Sequence, residues 1–415
     1  MNNCIRIVAL GALALAASAI GATPLTLLAP DAHDQVPARI VATVQAKALG
    51  SPTHGAATLD HTPVQFSRAL NSDQALDVAP RPYQAQSREF WTEVGESQLH
   101  AGVAFTTTAP GALIRISPQG DSGATLDPAS VMIRSNGRMR SANAVSSAVA
   151  DADALQHAGM NVARGTLAFR LAPTAGIGEM QLSTQQAHGR FLVQVLDAGS
   201  PLVLDLSADR DTVLVGSTIT FHTAMTNARA PHGLALASGI VTAPDGFSAD
   251  LHFVRNTDGS FSATFKPDAA HSVGPQLWEA QVFSASHSGK LVVLRDAKTA
   301  FAVSAPTAQF GNDVQLTSDI DGMQIELAVN AATASRYQIS GVLYGTGDDG
   351  ALHPAALAQS AKWLTSGSDS IALHFDAAST TAAGLHAPYE LHDLRLIDQA
   401  NMAVIERLQR ALAID

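Results

Sequence analysis

VGSTITF (215–221), LHFV (251–254), DGSFSATF (258–265), LWEAQVF (277–283), KLVVLR (290–295) and TAFAVS (299–304) follow one another in one continuous stretch. Ile219 and Phe221 share one face while Thr218 and Thr220 share the other; Phe261, Ala263 and Phe265 alternate in the same way, as do Trp278, Ala280 and Val282. Successive strand side chains point to opposite faces, so this alternation marks half-buried antiparallel strands. Asp245-Gly246 and Asp258-Gly259 supply turn residues between them. The stretch reads as one Ig-like β-sandwich over residues 202–305, bounded by Gly199-Ser200-Pro201 and Ala305-Pro306-Thr307.

The same rhythm extends both ways. Upstream, Leu99, Ala101, Val103 and Phe105 alternate, as do Ala112, Ile114 and Ile116, then Leu167, Phe169 and Leu171, then Phe191, Val193 and Val195. These define an N-terminal β-sandwich over 62–200, with Val64-Gln65-Phe66 as its first strand and a short helical insertion in the Ala-rich run 142–158. Asp151 and Asp153 belong to the solvated face of that insertion. Downstream, Met323, Ile325, Leu327 and Val329 alternate, then Tyr337 and Ile339, then Ile371, Leu373 and Phe375. They define a C-terminal Ig-like sandwich over 308–415, which Tyr389–Ile397 and Met402–Leu408 close as two strands or as a strand and a short helix. The expected fold class is all-β, three tandem β-sandwich domains. A chain of 415 residues suits three domains of about 100–150 residues each.

Residues 1–22 read as a signal peptide: Arg6, an apolar run from Ile7 to Ile20, then small residues ending at Ala22. The run is short for a bilayer span, and no later segment is apolar enough to cross. Residues 23–61, rich in Ala, Pro and Thr, read as a flexible leader or a propeptide. The expected location is therefore exported, periplasmic or extracellular. The one cysteine, Cys4, precedes the apolar run, so a processed chain has no thiol. That excludes disulfides, thiol catalysis and zinc–cysteine sites, and leaves each core to hold its own domain. Net charge is −11 and charged residues make up only 15 %. No basic run exceeds two residues, which removes the electrostatic footprint of nucleic-acid binding.

Few motifs carry chemistry. Gly120-Asp121-Ser122-Gly123 matches the nucleophile turn of chymotrypsin-like proteases. No histidine upstream stands in that family's context, and too little chain precedes Ser122 to build a first barrel. Gly, Asp and Ser are also ordinary hairpin-turn residues. No metalloprotease helix motif, phosphate loop or nucleophile elbow is present. No cofactor is implied, with calcium the one candidate. Asp319 and Asp321, and Asp348 and Asp349, lie in Gly-containing loops of the kind that supply hard oxygen ligands, although Asp and Gly are turn formers too. Trp278 alternates with Ala280 and Val282 and belongs to a core. Trp91 and Trp363 are the candidates for an exposed aromatic binding surface, against packing between domains.

Ser87-Arg88-Glu89-Phe90-Trp91 and the run Thr108-Ala109-Pro110-Gly111-Ala112-Leu113-Ile114-Arg115-Ile116-Ser117-Pro118 resemble the opening of the bacterial domain-of-unknown-function 4785 (DUF4785) family. Trp278-Glu279-Ala280-Gln281-Val282 and Pro388-Tyr389-Glu390-Leu391 are similar to its Ig-like modules. The resemblance implies a secreted multi-domain β-sandwich protein and brings no activity or catalytic residue with it. The function expected is a non-catalytic binding protein of the envelope or secretome, with a protein or glycan partner and no nucleic acid. The alternatives are a hydrolase of envelope polymer with its site in the first domain, and a structural spacer or secretion accessory.

Overall fold

The computed structural model describes residues 22–42, 60–74, 76, 83–120, 125–228, 230–271, 275–382 and 384–415. The expected signal peptide (but for Ala22), most of the 43–61 part of the leader, and Asp121-Ser122-Gly123 lie outside them. The chain forms three two-sheet β-sandwiches. Among the described residues no helix is long and apolar enough to cross a membrane.

In the first sandwich a five-stranded sheet has the order Glu89–Gly95, Arg190–Leu196, Leu113–Pro118, Leu167–Leu171, Ser146–Asp151. A four-stranded sheet, Val103–Thr107, Gly178–Ser183, Met132–Ser135, Arg138–Ser141, covers it. Ile114 and Ile116 are fully buried between the sheets, with Phe169, Phe191 and Leu182. Leu113, Arg115 and Ser117, the alternate residues, face outward. The Ala-rich run departs from expectation. It holds two single-turn helices, Ala142–Val145 and Ala152–His157, and between them Ser146–Asp151 is an edge strand pairing with Leu167–Leu171. Pairing to an open sheet edge outweighs the helix preference of a few alanines, and Ser-Ser-Ala-Val is a weak helix former. Asp151 is the helix N-cap, accepting the Ala154 N–H at 2.9 Å, rather than a residue of its flank.

The middle sandwich packs Leu202–Ala208, Ile219–Asn227 and Phe261–Phe265 against Leu234–Thr242, Trp278–Ser288 and Leu291–Ser304. The short Thr212–Leu214 runs parallel to Leu291–Ser304. Trp278, Phe221 and Phe301 fill its centre. The last sandwich packs Ala308–Asp319, Gly322–Ala331 and Gly367–Asp376 against Ser335–Thr346, Leu352–Leu364, His386–Asp398 and Ala403–Ile414, with Tyr337, Leu373 and Phe375 buried. The final segment is a strand, not a helix.

The largest departure is at the N-terminal end. Thr23–Leu25 is an edge strand of the last sandwich, paired with Ala308–Asp319, and Leu25 and Leu27 pack on that core. Further on, Gln35 and Arg407 exchange two backbone hydrogen bonds, and the Val41 N–H donates to Pro306. The described part of the supposed leader is thus built into the last domain. Val64–Ala69 pairs with Leu352–Leu364 in that domain's other sheet, and Gln84–Ser87 pairs with Leu202–Ala208 in the middle one. The first sandwich itself opens at Glu89, not at residue 62. Open sheet edges take up any chain that can satisfy their unpaired N–H and C=O groups, and such distant pairing leaves no periodic mark.

Candidate functional site

The first and middle sandwiches meet at the hinge Asp197–Leu202. Asp197 is buried. Its carboxylate accepts the Thr108 N–H at 2.7 Å, the Thr108 hydroxyl at 2.8 Å and the Ala109 N–H at 3.3 Å, all from the first sandwich. From the middle sandwich, Arg295 Nη2 reaches the same carboxylate at 3.1 Å and Ser200 Oγ at 2.9 Å. Burial lowers the Arg295 pKa from its usual value and the Asp197 charge opposes that shift. Arg88 Nε donates to the Ser200 carbonyl, and the Asp197 N–H donates to Arg88 O. The two sandwiches are locked by a paired, hydrogen-bonded ion couple, the arrangement that a buried charge requires.

Beside this lock lies a cleft of about 790 Å³. Its floor belongs to the middle sandwich: Asp296, Ala297 and Lys298 of Leu291–Ser304. Its wall is the outer face of the first sandwich's five-stranded sheet, where register puts Trp91, Gln194 and Arg115 side by side on adjacent strands. Tyr83, 70 % exposed, stands at the cleft, and Trp91 is half-buried with its ring edge-on to Phe283 at 5.7 Å. Gln194 donates to Glu89 at 2.6 Å, Glu93 pairs with Arg190, and Lys298 pairs with Glu279 at 2.7 Å. Arg115 differs: its Nε is buried without a hydrogen-bond partner.

Asp296 is almost fully buried, and its carboxylate accepts the Trp91 backbone N–H at 2.7 Å. Burial pushes its pKa up to about 7; the Trp91 N–H and Lys298 oppose the shift, and nearby Glu89 adds to it. The cleft therefore holds one carboxyl that titrates near neutrality next to a second.

The residues singled out from sequence separate. Trp91 lines the cleft. Trp363 sits apart on the last sandwich, stacked on His61 at 3.9 Å between ring centroids. Asp319 accepts the Asp321 and Gly322 N–H groups within its own hairpin turn. Asp349 accepts the Ala351 N–H and pairs with His353 at 3.0 Å, while Asp348 lies in the same turn. The four acids stay in two separate turns, and among the described residues no group of three His, Cys, Asp or Glu side chains could hold a metal ion. Sequence reading passed over Arg115, Gln194, Glu89 and Asp296. Arg115 had a signal, a charge alternating with Ile114 and Ile116; so had Arg295-Asp296, two adjacent charges in the otherwise apolar run LVVLRDA.

Fold and cleft together define a protein of three serial β-sandwiches with a polar, aromatic-lined crevice between the first two. The model of the DUF4785 N-terminal domain matches residues 55–197 and that of the DUF4785 C-terminal domain matches residues 307–415; the chain belongs to the DUF4785 family. A crystal structure of a DUF4785 family protein from Legionella pneumophila subsp. pneumophila shares the fold at TM-score 0.69 and 19 % identity, over 90 % of this chain and 99 % of that one. Trypsin-activated alpha-2-macroglobulin from Escherichia coli aligns at TM-score 0.23 and 13 % identity, over 77 % of this chain and 24 % of its own, too slight a likeness to carry an argument. No curated protein sequence matches the chain.

Proposed function

We propose that the chain is an exported, non-catalytic binding protein, and that the cleft between its first two sandwiches takes a bacterial envelope glycan. The observation that carries this reading is the pairing of Tyr83 and Trp91 with the planar polar groups of Gln86, Gln194, Glu89 and Arg115 in one crevice of about 790 Å³. Aromatic faces pack on the C–H faces of sugar rings, and amide, carboxylate and guanidinium groups match sugar hydroxyls. The residues that carry the DUF4785 resemblance supply much of the wall: Ser87, Arg88, Glu89, Trp91 and Arg115. The middle and last sandwiches are read as Ig-like supports. In the middle one, a first strand split between the two sheets, with its second half parallel to the last strand, favours that reading.

The test is retention of the purified chain on insoluble peptidoglycan, whole cells and arrayed bacterial glycans. Trp91→Ala should weaken retention by about 2 kcal/mol, roughly thirtyfold. Retention on none of these surfaces would overturn the reading.

One observation favours a second reading, hydrolysis of the bound polymer. Asp296, with its pKa pushed up to about 7, lies near Glu89 in the cleft, as acid and base lie near each other in glycosidases. Release of reducing ends by the wild type, lost in Asp296→Asn while binding persists, would establish it.

A further inference from the structure

Next to the polar cleft on the same sheet face, sharing Arg115, Gln194 and Leu196 with it, runs a groove of different character. It has a volume of about 400 Å³. Leu113 and Leu196 form its base, and the edge strand Ser146–Asp151 and helix Ala152–His157 contribute Val149 and Leu155, with Met160 just beyond. Val149 and Met160 are 41 % and 43 % exposed, so these apolar side chains meet solvent. Isolated exposed apolar residues need no explanation; a concave set of them is a binding surface.

Two cations stand in this groove. Register puts Arg115 opposite Ala168 and Leu113 opposite Arg170, so the two arginines are diagonal neighbours on adjacent strands. No acidic residue lines the groove, and neither guanidinium has a carboxylate partner among the described residues. In a chain of net charge −11, an acid-free apolar groove with two unpaired arginines is a local inversion of charge. Its counterpart is an apolar chain ending in an anion.

We infer that this groove binds a fatty acid: one acyl chain along Leu113, Val149, Leu155 and Met160, with the carboxylate at Arg115 and Arg170. A groove of about 400 Å³ has room for a single chain, which argues against a diacyl lipid. The inference goes beyond the glycan reading and needs no sugar.

The experiment is calorimetric titration of the purified chain with decanoate, 1-decanol, decyl phosphate and decyltrimethylammonium, each below its micellar concentration. Decanoate should bind one to one, about tenfold tighter than 1-decanol and tighter still than the cationic analogue. Arg115→Gln combined with Arg170→Gln should remove the advantage of decanoate over 1-decanol, and Val149→Asp should weaken both. Thermal melts of each variant check that it folds. The selectivity series on the unaltered chain tests the inference even if a variant does not fold. Absence of saturable decanoate binding, or equal affinity for the cationic analogue, overturns the site; tighter binding of decyl phosphate than decanoate overturns the carboxylate assignment. Since the assay contains no glycan, its failure leaves the cleft reading untouched, and failure of glycan binding leaves this inference standing.

Discussion

Two neighbouring residues, Arg295 and Asp296, show how one strand serves both the joint and the cleft. Arg295 is held by Asp197 and Ser200 across the hinge, while Asp296 turns to the Trp91 N–H. Replacing Arg295 with Met leaves the Asp197 carboxylate buried with only neutral donors. Chemical denaturation should show a loss of about 3–5 kcal/mol. Asp296 works the other way. Its folded pKa, about 7, lies above the usual aspartate value, so the folded state holds a proton that the unfolded chain releases. Stability is therefore lost as pH rises from about 4 to about 7, and the full cost, of the order of 4 kcal/mol, applies above that. Asp296→Asn keeps an acceptor for Trp91 and removes the charge. It should stabilise the chain by about 2–4 kcal/mol at pH 8 and change little at pH 4, as read by thermal melts at both values. Glu406 repeats the pattern in the last sandwich, pushed up to about 7 by burial beside the Phe310 N–H. These carboxyls were legible only as charges in apolar runs; the burial that makes them acids near neutrality comes from packing against the first sandwich for Asp296 and against the facing sheet of its own sandwich for Glu406.

At the scale of elements, strands with an apolar face against a core were readable, the edge strand Gly367–Asp376 among them, whereas the short or largely exposed ones were missed, read as helix or, for Val64–Ala69, given to the wrong sandwich. Ile114 and Ile116, Phe191 and Val193, and Ile325 and Leu327 alternate because each strand has one dry and one wet face. Ser146–Asp151 has no such contrast: all six residues keep some exposure, so its alanines suggested a helix. Thr23–Leu25, Val64–Ala69 and Gln84–Ser87 are likewise short or largely exposed, with Val64 and Phe66 both more than half exposed. Their pairing energy comes from backbone groups of partners about 120 to 300 residues away, which side-chain pattern does not encode. Deleting residues 22–42 uncovers the Ala308–Asp319 edge and strips Leu25 and Leu27 from the last core. The expected loss is about 2–4 kcal/mol, confined to the last sandwich, and hydrogen exchange resolved by segment should register it there while the first sandwich stays protected.

For the whole molecule, the path of the chain matters more than any single domain. The N-terminal portion contributes strands to the last sandwich, then the middle one, before the first sandwich begins at Glu89. The chain then returns through all three in order. The middle sandwich thus holds a strand from the N-terminal pass and carries the floor of the cleft. Composition and periodicity revealed three sandwiches; the crevice between two of them depends on how they dock, and only Trp91 among its residues was singled out beforehand as a binding candidate, Ser87, Arg88, Glu89 and Arg115 standing out only through the family resemblance. The most direct test of the cleft as the glycan site is hydrogen–deuterium exchange of the purified chain with and without soluble peptidoglycan fragments and polysaccharides released from bacterial envelopes. Binding there should slow exchange in Glu89–Gly95, Arg190–Leu196 and the Asp296–Lys298 segment, and in Trp91→Ala this protection should fall away. Protection confined to the last sandwich, or unchanged in Trp91→Ala, would contradict it.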